Sequence, residues 1–167
     1  ISRLEQVRDI FLFCCLTGLA YVDVASLSTE NIVEGKRGRQ WLRKARNKTN
    51  NMCNIPLLRP ALRILEKYAE YRAATGRLLP VPSNQKMNAY LKELATLCGV
   101  AKNLTTHCAR HTFATTVTLA NGASLENVSK MLGHSSIRMT QHYAKILNSS
   151  IERDMDKIES ELIGEDE

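Results

Sequence analysis

The chain has 167 residues, of which 23 are basic and 17 acidic, so its formal net charge is +6 with neutral histidines. A composition of 44% hydrophobic and 24% charged residues indicates one globular domain and excludes disordered, collagen-like and disulfide-dense chains. No apolar run reaches the roughly 18 residues of a membrane span and no signal-peptide pattern is present, so we expect a cytoplasmic protein. The five cysteines include no Cys-x-x-Cys pair and are predicted to be reduced and to fill the core.

The charges are segregated along the chain. Residues 1–150 carry 21 bases and 9 acids, whereas residues 151–167 carry 2 bases and 8 acids. Seven of the bases fall within thirteen residues that contain no acid: Lys36, Arg37, Arg39, Arg43, Lys44, Arg46 and Lys48. Such a surface attracts a polyanion with an affinity that falls steeply with salt. Nucleic acid is therefore the leading partner class, and a solvated loop is the alternative.

The N-terminal part predicts two helices and a small sheet. Ser2 and Glu5 form a capping box, and apolar residues then recur at helical spacing over residues 3–17. A short helix over 21–27 follows. Runs broken by Gly and Asn predict three antiparallel strands, over residues 31–33, 40–45 and 52–56.

The remainder is helical in pattern. Pro60 suits the first turn of a helix over 60–74, and Ser83 begins another that stops before Gly99. Three further helices are predicted, over residues 106–121, 124–131 and 136–147. We therefore expect a mainly α (α+β) fold, a helical domain with a small three-stranded antiparallel sheet.

The acidic C-terminal tail, residues 148–167, carries one apolar stripe. Its members step by four, three and four residues: Ile151, Met155, Ile158 and Leu162. This pattern predicts an amphipathic helix that docks on another surface, but it does not name the groove. The domain to which the tail belongs and a second copy of the chain both remain open.

The four histidines cluster between residues 107 and 142, together with Arg110 and Tyr143. His107 and His111 have the spacing of a helical zinc site. However, Glu126 is the only acid between residues 94 and 151, so a metal-activated water or a two-metal nuclease lacks its usual ligands. We expect neither a metal nor another cofactor. Arginine, histidine and tyrosine suffice for reaction at a phosphodiester, because the cations stabilise the developing charge while a tyrosine attacks phosphorus.

Three segments carry a resemblance to a known family. LTTHCARHTFAT (104–115), LGHSS (132–136) and TQHY (140–143), in this order and spacing, resemble the catalytic domain of the tyrosine recombinases, or phage-type integrases, of bacterial mobile elements. The resemblance extends upstream to Thr17-Gly18-Leu19, Asp23 and Lys48-Thr49 and covers nearly all of residues 1–147. It implies a catalytic domain over 1–147, followed by the tail, with an N-terminal DNA-binding domain expected before Ile1.

The resemblance also implies an activity and partners. The expected function is site-specific DNA recombination or integration, by metal-independent strand cleavage and rejoining through a covalent 3′-phosphotyrosyl intermediate. The expected partner is double-stranded DNA, on which the protein would form a homo-oligomer, a tetramer, with possible exchange of C-terminal tails. Such a protein would be associated with the bacterial nucleoid when bound to DNA.

Carried over by position, the resemblance assigns catalytic roles. Tyr143 matches the nucleophile, and Arg110 matches an arginine that clamps the scissile phosphate through two parallel hydrogen bonds. His107 and His134 match phosphate donors, of which His107 is also a candidate acid/base. Lys48 matches the lysine that acts as general acid for the departing 5′-oxygen.

One position departs from the family pattern. An arginine normally follows Thr-Gly-Leu, and here that position is Ala20. Loss of such a donor costs about 10²–10³ in rate. We expect Arg46 to supply the charge: if residues 43–48 are extended, Arg46 and Lys48 face the same side, whereas Arg43 faces the other and is a weaker candidate.

The remaining assignments are supporting ones. Asp23 matches an acidic position that buttresses the pocket, and His111 and His142 are predicted to support the site. DNA-backbone contacts are predicted for five bases: Lys36, Arg37, Arg39, Arg43 and Lys44. Two other interpretations remain, a non-catalytic helix-turn-helix regulator formed by residues 124–147 and a degenerate recombinase kept for assembly.

Overall fold

The computed structural model describes residues 1–144 and 149–163, with the side chains of 149 and 150 left aside. The helices are α1 (Arg3–Thr17), α2 (Tyr21–Ala25), α3 (Arg59–Lys67), α4 (Ala69–Thr75), α5 (Asn84–Leu97), α6 (Thr106–Thr112), α7 (Leu125–Met131), α8 (Arg138–Ala144) and α9 (Ser149–Ile163). The strands are β1 (Ile32–Glu34), β2 (Gln40–Ala45) and β3 (Met52–Pro56). Within the described residues, no helix combines the length and apolarity needed to cross a bilayer.

Helix α1 is the central element of the core. Its N-terminus is capped by the Ser2 hydroxyl, which accepts a hydrogen bond from the Glu5 amide at 3.3 Å. It packs against α3, α5 and α6 and ends at Gly18, where φ is 72°. A Cβ on Gly18 would lie 2.5 Å from the Phe113 ring, so only glycine allows this close approach.

The predicted fold class is confirmed by the sheet and the helices around it. The strand order is β1-β2-β3, with both pairs antiparallel, and Leu42 in β2 lies opposite Ile32 and Ile55. Arg46 and Asn51 close the β2–β3 hairpin, since the Arg46 amide donates to the Asn51 carbonyl at 2.9 Å. The loop between them, residues 47–50, lies close to the helical part of the domain.

Two predicted helices have different bounds in the structure. The helix predicted over 60–74 is divided into α3 and α4 at Tyr68, whose hydroxyl donates to the buried Asp9 carboxylate at 2.9 Å. This tertiary contact coincides with the break that local helix propensity does not predict. Helix α2 ends at Ala25 rather than at residue 27.

The helix predicted over 106–121 changes its hydrogen bonding along its length. Helix α6 continues as a π-helix over Phe113–Thr118 and a 3₁₀ turn over Leu119–Asn121, and Gly122 ends it with φ 88°. The next predicted helix is α7, as expected, and the last begins at Arg138 instead of residue 136. Residues 145–147 of that prediction, and the proposed boundary at residue 148, lie outside the described part.

The cysteine prediction is correct for three residues and wrong for two. All five thiols are free, and Cys14, Cys15 and Cys53 are buried. Cys98 is exposed near the end of α5, and Cys108 is partly exposed on α6. Helix position explains the difference, because both lie on faces that the core does not cover.

Candidate active site

Arg110 is a buried arginine held by two helix ends. It lies on α6, where its Nη1 donates to the Gly18 carbonyl at 2.6 Å and its Nη2 to the Leu132 carbonyl at 2.8 Å. These carbonyls follow α1 and α7, so two separate helix termini fix the plane of the guanidinium. An arginine has five N–H donors, and the others remain available for a ligand.

Arg46 enters the same pocket from the hairpin. Its side chain is only 11% exposed, and its Nε lies 3.7 Å from Oδ2 of Asp23, which is buried on α2. A Cβ on Gly133 would lie 3.0 Å from Arg46 Cδ and 2.8 Å from Cys53 Sγ, so the arginine stem packs against this turn. Among the described residues, the buried Arg46 Nε has no hydrogen-bond partner.

The two guanidinium groups act on each other electrostatically. Burial, and next the charge of Arg46, lower the pKa of Arg110 from its ordinary value. Asp23 offsets only part of the positive charge, and its second oxygen accepts a hydrogen bond from the Asn47 amide at 2.8 Å. A bound phosphate would relieve the repulsion between the arginines and give acceptors to their unused donors.

His134 lies beside this pair. Its Nδ1 is 2.6 Å from the Thr140 hydroxyl. Burial lowers the pKa of His134 to about 4, with further contributions from Arg110, Arg46 and His142. The imidazole is therefore neutral at pH 7 and can donate one N–H to an anion.

Tyr143 is buried on α8 between two histidine rings. The His111 ring meets it edge-on with ring centroids 5.1 Å apart, and the adjacent His142 ring lies at 3.9 Å. A negative charge on Tyr143 would raise the pKa of Arg110, so the phenolic oxygen lies within electrostatic reach of the guanidinium. The tyrosine and the Arg110 guanidinium therefore belong to one pocket.

The structure does not bring every predicted residue to this pocket. Lys48 is exposed in the hairpin loop, and the expectation that residues 43–48 are extended is wrong because β2 ends at Ala45. Asn47 draws the chain towards α2: its side chain donates to the Val22 carbonyl at 3.1 Å, in addition to the amide contact with Asp23. His107 is exposed on the first turn of α6, and no described contact joins it to the buried arginines.

The predicted DNA-binding residues form a separate surface. Lys36, Arg37 and Arg39 are exposed in the turn between β1 and β2, at the opposite end of β2 from Arg46. Arg39 and Arg46 are seven residues apart in the chain, which corresponds to roughly 23 Å if the chain rises about 3.3 Å per residue. On β2 itself, Arg43 is exposed and Lys44 is half-buried.

Several residues of the pocket carried no role in the sequence interpretation. Cys53 was expected only as a core residue, yet it lies against Arg46 and Gly133. Thr140 lies within the TQHY segment, three residues before Tyr143, and this helical spacing is the signal that could have identified it. Asn51 connects the hairpin to the α7–α8 turn through its hydrogen bond to the Gly133 carbonyl, at 3.2 Å, and no sequence pattern indicated that contact.

Comparison with known families decides the relationship. The family model described as the phage integrase family matches residues 4–149. The chain belongs to the phage integrase family. Its predicted resemblance to the tyrosine recombinases is thereby confirmed over residues 4–149.

Relatives of this phage integrase family member include two recombinases. The tyrosine recombinase XerD of Rhizobium meliloti (strain 1021) is 32% identical over 146 residues, which cover 81% of this chain and 45% of that protein. The tyrosine recombinase XerD of Staphylococcus saprophyticus is 42% identical over 71 residues, or 42% of this chain and 24% of that protein. The chain spans less than half the length of these two relatives.

Solved structures share the fold of this integrase-family chain. XerA recombinase gives a TM-score of 0.66 at 21% identity, covering 95% of this chain and 64% of that one. A lambda integrase dimer bound to a COC′ core site gives 0.65 at 20% identity, covering 85% and 53%. The helical domain with its small sheet is thus the fold of these recombinases.

The regulator alternative is not favoured by these findings. Within the described residues, helices α7 and α8, which would form the helix-turn-helix, span seven residues each. The second of them buries Thr140 and Tyr143 inside the domain. This burial turns the face of α8 that carries Tyr143 towards the interior of the domain.

Proposed function

We propose that the chain is the catalytic domain of a site-specific DNA recombinase that cleaves and rejoins double-stranded DNA through a phosphotyrosine at Tyr143. The observation that carries this function is the buried pocket in which Arg110, Arg46 and His134 converge beside Tyr143. Two structural neighbours, XerH bound to difH and lambda integrase bound to a core site, are complexes with DNA. The domain would comprise residues 1–147, with 148–167 as its tail.

Each group has a defined part in strand cleavage. The Tyr143 hydroxyl gives its proton to a base, for which His107 is the candidate, and its oxygen attacks phosphorus. The bond to the 5′-oxygen breaks, and a 3′-phosphotyrosyl bond replaces it. Arg110 and Arg46 hold the non-bridging oxygens as charge develops, and His134 donates its N–H to one of them. The exposed Lys48, carried on the hairpin loop, gives a proton to the departing 5′-oxygen.

His107 has a supporting role in this proposal. It precedes Arg110 by three residues on α6, which places both on one face of the helix. From this position it serves as a second phosphate donor and as the candidate acid/base. The phosphotyrosyl bond retains the energy of the broken phosphodiester bond. A 5′-hydroxyl can therefore attack it and reverse the step without ATP or a metal.

Arg46 replaces the arginine that is missing at Ala20. Ala20 immediately precedes α2, and Asp23 on the same helix contacts Arg46, so the hairpin arginine is anchored beside the vacant position. The buried Nε of Arg46 supplies a donor that no described residue uses. An arginine supplied by the hairpin in this way would complete the site, whereas a degenerate recombinase would lack this second arginine.

A nicked duplex tests the cleavage reaction. DNA that flanks the coding region is nicked close to the candidate cleavage site, so that the short cleaved strand diffuses away and the covalent complex accumulates. We expect a protein–DNA band on a denaturing gel, formed also in excess chelator and absent for Tyr143→Phe. Tyr90→Phe, which removes a phenol from the surface of α5, is the matched control and should cleave normally.

Arg46 is tested with the same substrate. Arg46→Ala should lower the single-turnover cleavage rate about 10²–10³-fold, because it removes a positioned donor to the phosphate. Arg46→Lys should retain part of the rate, since it keeps the charge but loses the planar fork. Arg63→Ala, which removes an exposed arginine of α3 with no predicted role, is the control. Equal rates for Arg46→Ala and Arg63→Ala would show that Arg46 does not compensate for Ala20.

The tail supports a proposal for assembly on DNA. In α9 the apolar residues of the stripe are exposed, and Arg153 donates a hydrogen bond to the Ala120 carbonyl of the body. We infer that the stripe docks on a second copy and that the protein forms a tetramer on DNA, where it associates with the nucleoid. Sedimentation of the DNA complex should give four chains per synapse, and one chain per site without a larger species would oppose the proposal.

A further inference from the structure

We propose that Thr140 is a positioning residue that sets the imidazole tautomer of His134. Thr140 lies on α8 with no exposed surface, and its Oγ1 is 2.6 Å from His134 Nδ1. That distance is short for a hydrogen bond between a hydroxyl and a ring nitrogen. The proposal rests on the proposed function, in which His134 donates a hydrogen bond to the phosphate.

The other buried threonines show what is unusual about Thr140. Thr17, Thr115 and Thr118 each donate their hydroxyl hydrogen to a backbone carbonyl one helical turn earlier, at 2.7–2.9 Å. Such back-bonding is the common behaviour of a threonine in a helix. In the described part of the chain, the recorded partner of the Thr140 hydroxyl is instead the His134 ring.

The direction of this hydrogen bond follows from the donor inventory. A hydroxyl has one hydrogen, and a neutral imidazole has one protonated nitrogen and one acceptor nitrogen. Because the Thr140 hydrogen has no described backbone acceptor, it is donated to Nδ1, and the ring proton then resides on Nε2. The hydrogen bond from Thr140 thus decides which ring nitrogen of His134 can donate to a ligand.

The tautomer matters because the ring does not carry both protons at neutral pH. Burial, and after it the charges of Arg110 and Arg46, oppose protonation of His134. With the proton on Nε2, the ring presents a donor to a phosphate held by the arginines. With the proton on Nδ1, Nε2 would present a lone pair to the same anion and would repel it.

Thr140 also links the tautomer of His134 to the position of the Tyr143 nucleophile. It precedes Tyr143 by three residues, so both lie on the buried face of α8. The packing of α8 therefore places the Tyr143 nucleophile and, through Thr140, also orients the His134 imidazole.

Nitrogen-15 NMR of protein labelled in its histidines measures the tautomer directly. At pH 7 the wild type should show His134 protonated at Nε2 and unprotonated at Nδ1. Thr140→Ser, which keeps the hydroxyl, should give the same spectrum, whereas Thr140→Val should give a mixture of tautomers. Thr118→Val, which removes another buried hydroxyl, is the matched control and should leave the His134 signals unchanged.

Cleavage of the nicked duplex provides the second readout. Thr140→Val should lower the single-turnover rate at saturating enzyme about tenfold, a part of the effect of losing one donor, with DNA affinity unchanged and with recovery in Thr140→Ser. A wild-type His134 protonated at Nδ1 would overturn the proposal even if Thr140→Val does not fold. So would equal rate losses in Thr140→Ser and Thr140→Val. Absence of cleavage in the wild type, with the NMR result as expected, would instead count against the proposed function.

Discussion

Two arginines share one pocket with the Asp23 carboxylate, and this arrangement costs folding stability in the absence of a ligand. Arg110 is held by the Gly18 and Leu132 carbonyls, while Arg46 is held by packing and by a longer contact with Asp23. A buried donor such as the Arg46 Nε, for which the described part of the chain supplies no acceptor, costs roughly 1–3 kcal/mol. We expect a bound anion to supply this acceptor and so to offset the loss of folding stability.

At the same scale, His134 predicts how stability depends on pH. Its pKa in the folded protein is about 4, below the ordinary value of 6.5, because of burial and nearby cations. Below pH 6.5 the unfolded chain takes up a proton that the folded chain does not bind until about pH 4. The free energy of unfolding should therefore fall as the pH is lowered through this range.

Thermal unfolding between pH 7.5 and 4.5 measures this contribution. The wild type should lose more stability over that interval than His134→Asn, which keeps a hydrogen-bonding side chain but does not titrate. Identical pH profiles for the two proteins would mean that the His134 pKa is not depressed in the folded state.

At the scale of elements, the pocket depends on how the hairpin meets the α7–α8 turn. Asn51 donates to the Gly133 carbonyl, and Asn47 contacts Asp23 and the carbonyl of Val22. These bonds fix both arms of the hairpin, and Arg46 passes between them into the pocket. The turn tolerates this approach because residue 133 has no side chain.

Substitution at Gly133 tests this packing. Gly133→Ala should destabilise the fold by about 1–2 kcal/mol through its positive φ and should also displace Arg46, so that the cleavage rate falls. Gly122→Ala has the matched backbone penalty, since its φ is 88°, but nothing lies within 4 Å of the new Cβ. Denaturant unfolding should show similar losses of backbone origin in both, with impaired cleavage only in Gly133→Ala. Normal cleavage by a folded Gly133→Ala would contradict the proposed packing.

Local signals predicted those elements whose ends are fixed by local contacts. Ser2, Ser83 and Ser124 cap α1, α5 and α7 as their positions indicated, and the antiparallel sheet follows from its turn residues. The break at Tyr68 and the end of β2 depend on contacts with Asp9 and Asp23, which are distant in sequence.

The residues of the candidate site also divide into those that sequence motifs predicted and those that only the packing reveals. Its residues in the ordered motifs, Arg110, His134 and Tyr143, could be identified from the sequence. Cys53 and Thr140 become meaningful only when β3 and α8 are packed against the arginines, because no local pattern records which side chain meets a neighbouring element.

At the scale of the whole molecule, the proposed catalytic arginines and the bases predicted to contact the DNA backbone lie in different places. Arg110 is buried and Arg46, which follows β2, is half-buried, whereas Lys36, Arg37 and Arg39 are exposed at the other end of that strand. We expect the exposed cluster to contact the DNA backbone away from the cleaved phosphate. Substitutions of the two arginines should then change the cleavage rate, and substitutions in the exposed cluster should change the affinity for DNA.

Salt titration of DNA binding separates them. Replacing Lys36, Arg37 and Arg39 by alanine should reduce the slope of log affinity against log salt by about 0.9 per lost phosphate contact. The single-turnover cleavage rate at saturating protein should be unchanged. A variant with Lys86, Lys92 and Lys102 replaced by alanine removes the same charge from other exposed positions and should keep the wild-type slope. Equal slopes for the two triple variants would rule out a specific role for the β1–β2 turn.

The most direct test is to identify the residue that becomes linked to DNA. The covalent complex formed on the nicked duplex is digested with protease and nuclease, and the peptide that carries the nucleotide is sequenced by mass spectrometry. We predict a 3′-phosphate ester on Tyr143, within the peptide that contains His142. A nucleotide attached to any other residue, or a full-length protein that cleaves its cognate DNA without forming an adduct, would contradict strand transfer through Tyr143.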